Sequence, residues 1–273
     1  MMKRWIAVML SVVLAVSLVA CGKKKNDGEK VVAAMEKMST AQSYNSTMKT
    51  EVQMEMPEIG TMEVSVDMDM SCVMEPMKAK VDMKISVLGE GMDMSMYMQE
   101  KDGKYEVYVL DGGEWLSTEM SMEEIDQMDA KASLQMYVES SKSFSFAGTE
   151  EINGYKADRY DGAIEGEALQ KAMNNMGNTP GVNLKDAGLD EEALKKLGKL
   201  PLSVWIDQES GYPVYYSMDM SDIMTKMMEQ IMEGMGVKDV EVKVDKMEIT
   251  MSFTDFDAVP DFQMPAGSDL AAA

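Results

Sequence analysis

The strictest constraint in this chain is an alternation. From Tyr44 onward apolar side chains recur at every second residue, and methionine is the commonest of them. Met48, Thr50, Val52, Met54 and Met56 share one parity. After Pro57-Glu58-Ile59-Gly60 come Met62, Val64, Val66, Met68 and Met70, then Met77, Ala79, Val81, Met83, Ile85 and Val87. Gly89-Glu90-Gly91 precedes Met92, Met94, Met96 and Met98, and Asp102-Gly103 is a tight-turn signal before Tyr105, Val107 and Val109. A period of two belongs to a strand with one apolar and one polar face. The segment therefore predicts five strands in an antiparallel meander. Facing Met70 with Met77 would bring Asp69, Asp67 and Glu63 opposite Lys78, Lys80 and Lys84. Each such pair contributes ~0.2–1 kcal/mol. A slip of one residue would turn the apolar set to the wrong side.

The flanks switch pattern. Residues 29–42 place Val31, Ala34, Met35 and Met38 at helical spacing. Residues 121–140 read as a second helix, with Ser121 and Glu124 resembling a capping box. Asn153-Gly154 predicts a hairpin across 143–161. Residues 165–199 are expected to be helical or looped. A further hairpin spans 202–220 around Gln208-Glu209-Ser210-Gly211, a short Met-rich helix 221–234, and a last long strand 240–256. In that strand the apolar parity changes from even (Val240, Val242, Val244) to odd (Met247, Ile249, Met251, Phe253), which predicts a bulge near Asp245-Lys246. The fold class expected is α+β: a large curved antiparallel sheet, a half-barrel, with helices packed on its concave face.

The N-terminus reads as an export signal. Lys3 and Arg4 precede an apolar run, Trp5 to Ala20, that is shorter than the ~18–20 residues of a spanning helix. Leu18-Val19-Ala20-Cys21 resembles the lipobox of bacterial lipoproteins, in which the Cys is acylated and becomes the new N-terminus. Cys21 is accordingly the expected lipidation site and membrane contact, and multiple acyl chains anchor stably where one is marginal. The expected organisation is a signal peptide at 1–20, a lipidated N-terminus and polar tether at 21–29, one domain at 30–262 and a C-terminal coil at 263–273.

Composition excludes several chemistries. The net charge is −22, and loss of Lys3 and Arg4 on processing would take it to about −24. Such a chain repels nucleic acid. There is no histidine, which removes the commonest general base and metal ligand. No GxGxxG, P-loop, CxxC or GxSxG occurs. With Cys21 lipidated, Cys72 stands alone and no intrachain disulfide is available. Asp67-x-Asp69 and Asp219 lack the looped geometry of a Ca²⁺ site and read as a solvated face opposite lysines. No catalytic residue, cofactor or dedicated metal centre is expected, and the chain is expected to be a monomer.

Ser43-Tyr44 opening the strands, the late Val204-Trp205-Ile206-Asp207…Gly211-Tyr212-Pro213-Val214 hairpin and the closing Phe253-Thr254-Asp255-Phe256…Val259-Pro260-Asp261-Phe262 complete a layout. Together with the lipobox and the first helix, it resembles the lipoprotein-carrier superfamily of LolA-like and LppX-like half-barrels. The resemblance spans roughly residues 30–262. It implies a concave face that holds acyl chains or another hydrophobic ligand, and no catalytic residues. The candidate lining is Met54, Val64, Val66, Met68, Val81, Met83, Met94, Met96, Val107 and Val109. Three uses of the 34 methionines stay open: ordinary packing, an adaptable ligand groove, and Cu(I) binding by thioethers. Met92, Met94, Met96 and Met98 would place thioethers about 6.6–7 Å apart along one face. Sacrificial oxidation is a further chemical possibility for exposed methionines.

Overall fold

A computed structural model describes residues 26–56, 60–120, 138, 140–177, 196–234, 243–266 and 268–269. The expected second helix at 121–140 lies almost wholly outside them, as do the export signal and Cys21.

The chain opens with helix α1, Asp27–Met38. Asn26 caps it: its side-chain oxygen accepts from the Glu29 amide at 2.8 Å, and the Glu29 carboxylate accepts from the Asn26 amide at 3.2 Å. Six strands follow: β1 Ser43–Met56, β2 Gly60–Met74, β3 Met77–Val87, β4 Glu90–Lys101, β5 Lys104–Asp111 and β6 Glu114–Met120. A second meander carries β7 Ser145–Ile152, β8 Tyr155–Glu165, helix α2 Gly166–Gly177, β9 Lys199–Asp207, β10 Pro213–Asp219, helix α3 Ser221–Gly234 and β11 Lys243–Thr254. The short β12, Ser268–Asp269, lies parallel to β6.

All of these strands belong to one open sheet, in the order β12-β6-β5-β4-β3-β2-β1-β11-β10-β9-β8-β7. The two meanders meet where β1 pairs with β11, and the outer strands do not close on each other. This is the half-barrel expected, with helices on its inner, apolar face. The sequence pattern gave five strands to the first meander. The sixth, β6, follows the Gly112-Gly113 turn.

Turn chemistry explains the hairpins. Asp102-Gly103 and Asn153-Gly154 both take positive φ at their two positions, as the mirror-image turns matching strand twist require. The β3–β4 turn sits earlier than the glycine pattern suggests, at Leu88-Gly89. The bulge expected in the last strand is present: Gln53 pairs with Lys246 and Met54 with Val244, which leaves Asp245 out of the ladder.

The register between β2 and β3 differs from the one the charges suggest. Met70 faces Val81, not Met77, and Met74 faces Met77. The hairpin turns tightly at Glu75-Pro76, so Ser71 to Met74 continue the ladder. That register adds backbone hydrogen bonds worth about 0.5–1.5 kcal/mol each. It also buries Cys72 opposite Ala79. Exposed charge pairs at ~0.2–1 kcal/mol do not outweigh this. The shift is even, so every side chain keeps its face. None of the three expected charge pairs forms: Asp67 meets Lys84 instead of Lys80, and Asp69 faces Asp82. Thr47 donates to Asp69 at 2.7 Å, while Ser95 at 2.6 Å and Lys80 at 2.8 Å serve Asp82. These contacts offset the like-charge pair.

The main core lies between the helices and the second meander. Val31 and Met35 of α1, Leu169 and Met173 of α2, and Ile223 and Met227 of α3 pack with Tyr160, Ile164, Leu202, Val204, Tyr216 and Phe253 of the sheet. A Cβ on Gly28 would fall 1.8 Å from the Ser141 carbonyl oxygen, so only glycine lets α1 approach the turn at Ser141–Ser143.

The stretch after β11 straps the opposite face. Asp255 accepts from the Asn45 side-chain amide at 2.8 Å, and Asp257 accepts from the Gln42 amide at 2.6 Å and the Tyr212 hydroxyl at 2.9 Å. Phe256 stacks on Tyr212 with ring centroids 4.0 Å apart. Farther on, Asp261 meets Lys78 at 2.5 Å and Phe262 packs edge-on against Tyr97. The segment that sequence alone leaves as a closing motif followed by coil thus crosses from β1 to β4 and ends beside β6 in β12.

Candidate functional site

The strand registers place all ten candidate lining residues on one face. Cross-strand partners share a face in antiparallel pairs. One row runs Met251, Met48, Met68, Met83, Met94 across β11, β1, β2, β3 and β4. The next runs Phe253, Ser46, Met70, Val81, Met96, Val109 and Leu116. On the other side lie Ile249, Thr50, Val66, Ile85 and Met92, then Met247, Val52, Val64 and Val87, and finally Val244, Met54 and Met62. Val107 belongs to the row Tyr44, Cys72, Ala79, Met98. The twelve methionines of β1–β4 whose side chains are described all fall on this face. It is the same face that the helices cover farther along the sheet, since Phe253 and Met251 belong to both.

Burial grades across it. At the Tyr44 end, Cys72, Ala79, Val81, Tyr105 and Val107 are buried. Met48, Met54, Val64, Val66, Met68, Met83, Met96 and Val109 are half-buried. Toward the far end of the strands exposure rises to 38% at Met94, 42% at Val87 and 55% at Met92. The face is therefore packed at one end and open at the other.

Cys72 is chemically quiet. Burial pushes its thiol up, only partly countered by a hydrogen bond with the Tyr44 hydroxyl. The same burial, with Cys72 beside it, pushes Tyr44 up to about 12. Met74 Sδ lies 3.6 Å from Cys72 Sγ.

The opposite, polar face holds an open cleft of about 500 Å³ lined by Thr47, Lys49, Asp67, Asp69, Asp82, Lys84, Asp93 and Ser95, with Met83 and Met94 also bordering it. Its carboxylates are spread along strands and answered by Lys49, Lys80 and hydroxyls. Among the described residues no group of three or more His, Cys, Asp or Glu is arranged to hold a metal ion. Asp219 is used locally, accepting from the Ser221 amide at 3.0 Å at the start of α3. No helix among the described residues is long and apolar enough to cross a membrane.

A family model covers residues 28–267, nearly the whole described chain. The chain belongs to DUF6612, a family of unknown function. No curated protein matches this DUF6612 chain by sequence. Among solved structures, LprF from Mycobacterium bovis is 15% identical over 88% of this chain and 97% of its own, with a TM-score of 0.50. The lipoprotein LppX from Mycobacterium tuberculosis is 12% identical over 86% and 96%, with a TM-score of 0.47. A LolA superfamily protein from Nitrosomonas europaea is 8% identical over 88% and 96%, with a TM-score of 0.23. The likeness to LprF shows a shared fold.

Met48, Met70 and Met251 escaped the sequence-derived lining. Met48 and Met70 sit in the two central rows, and both were visible in the alternation. Met251 joins the row only because β11 pairs with β1, a contact that local periodicity does not encode.

Proposed function

We propose that this DUF6612 chain is a non-enzymatic extracytoplasmic lipoprotein that is held to the membrane through acylated Cys21. It binds a hydrophobic ligand, a lipid or lipopeptide, against the Met–Val face of β1–β5. The observation that carries this reading is the gathering of twelve methionines on one half-open face, beside a closed core where methionine is mixed with leucine, isoleucine, valine and aromatic residues. A core needs defined rotamers; a surface for ligands of loose shape is served by unbranched, polarisable thioethers. The fold shared with LprF, and the lipoprotein character that the name of LppX states for that protein, agree with it. Met54, Val64, Val66, Met68, Val81, Met83, Met94, Met96, Val107 and Val109 form the proposed contact surface, and the acidic polar face stays in water.

A second reading is a protein-interaction lipoprotein whose sheet face is closed by its own chain. The burial of Val81, Tyr105 and Val107 favours it at that end. Native mass spectrometry of the full chain, released from membranes in mild detergent, separates the two. Carriage predicts a co-purifying hydrophobic molecule of reproducible mass that is recovered by solvent extraction. Repeated recovery of ligand-free protein supports the closed face.

A further inference from the structure

The central methionine row has a second chemistry. Met68, Met83 and Met94 are direct cross-strand partners on β2, β3 and β4. Directly opposed residues hold their Cβ atoms about 4.5–5.5 Å apart. The methionine stem has three rotatable bonds, so neighbouring sulfurs can converge on one point without backbone movement. Met70 and Met96 stand diagonally from Met83, two residues along the flanking strands. Met92 stands diagonally on the other side, so Met83 is a thioether with five others at direct or diagonal positions.

Two observations separate this cluster from packing. The row runs from half-buried Met68 and Met83 to exposed Met94, which gives an ion a way in from solvent to a drier interior. Each member is also flanked in sequence by aspartate: Asp67 and Asp69, Asp82, and Asp93. These project to the polar face, where the four aspartates outnumber Lys49, Lys84 and Lys80. The field through the sheet therefore favours a cation at the neutral sulfurs.

The geometry points to a soft monovalent metal site, for Cu(I) or Ag(I), held by the thioethers of Met68, Met83 and Met94. Thioethers select soft ions over Zn²⁺, Ca²⁺ and Mg²⁺. Cys72 lies two rows from Met83 across the buried end of the face and is not a ligand.

The test is anaerobic titration of the full chain in detergent with Cu(I), in competition with a coloured Cu(I) chelator, and X-ray absorption at the copper edge. One Cu(I) bound with sulfur-only ligation is expected. Met83→Leu is expected to weaken it at least tenfold, and the triple Met68→Leu, Met83→Leu, Met94→Leu variant to abolish it. Leucine conserves volume, and an unchanged melting temperature confirms that the variants fold. Cys72→Ala is expected to retain the metal. Failure of the wild type to compete for Cu(I), full binding by the triple variant, or loss of binding in Cys72→Ala would each overturn the assignment.

Discussion

The two halves of the sheet share one backbone ladder and one apolar face, yet they fill that face differently. Around β8–β11 the face meets three helices with Ile164, Leu200, Leu202, Val204, Tyr216 and Phe253, nearly all buried. Across β1–β4 leucine occurs only at Leu88, in a turn, and methionine dominates the apolar positions, whereas the helix-covered core mixes four buried methionines with leucine, isoleucine, valine and aromatic side chains. Branched and aromatic side chains have few rotamers and specify one packing. Methionine fills space without specifying it. One half therefore supplies stability, and the other is left adaptable.

Truncation should expose that difference most sharply. Leu202→Ala or Ile223→Ala should cost about 2–5 kcal/mol, because each side chain is fully buried and its cavity cannot collapse. Met68→Ala or Met94→Ala should cost about 1 kcal/mol or less, because these sites are already partly open. Urea unfolding at equilibrium measures both, and equal losses in the two halves would erase the distinction. Introducing charge sharpens it further. Met83→Lys should remove most of any co-purifying lipid while leaving the unfolding midpoint near that of wild type. An intact lipid yield would place the ligand elsewhere.

The strap that joins the halves is the next target. Asp257→Ala removes the acceptor for the Gln42 amide and the Tyr212 hydroxyl. It should lower stability by about 1–2 kcal/mol. Hydrogen exchange should quicken at Gln42, whose amide loses its acceptor, more than within β8 or β9.

The smallest effect is a pH dependence in the methionine half. Lys101, Gln99 and Tyr108 donate to the Glu106 carboxylate and lower it to about 2 from 4.5. A depressed folded-state pKa contributes stability above 4.5 that is lost as pH falls toward 2. Glu106→Gln should therefore be slightly less stable than wild type at neutral pH, and the gap should narrow across that window. A gap that is constant with pH would show that the hydrogen bonds contribute without the charge.

Much of this was legible in the residues. Period two fixed which side chains share a face, because an even slip in register leaves faces unchanged. That is why the lining survived although the partner of Met70 moved from Met77 to Val81. The parity change in the last strand located its bulge for the same reason. The register itself was misjudged because three exposed ion pairs are weaker than the four residues of ladder that Ser71 to Met74 add. The pairing of β1 with β11 joins segments some two hundred residues apart and has no local signature. The strap likewise depends on partners, such as Tyr212 and Lys78, that only the folded sheet brings near.

Methionine oxidation mapped by peptide mass spectrometry tests the central claim most directly. The chain as isolated from membranes and the chain after solvent extraction are each treated briefly with dilute hydrogen peroxide. If the β1–β4 face is an adaptable ligand surface, Met68, Met83 and Met94 convert to sulfoxide slowly before extraction and rapidly after it. Met35, Met173, Met220 and Met227, buried under the helices, stay protected in both. Equal rates before and after extraction, or the same rate in both halves of the sheet, would contradict the account.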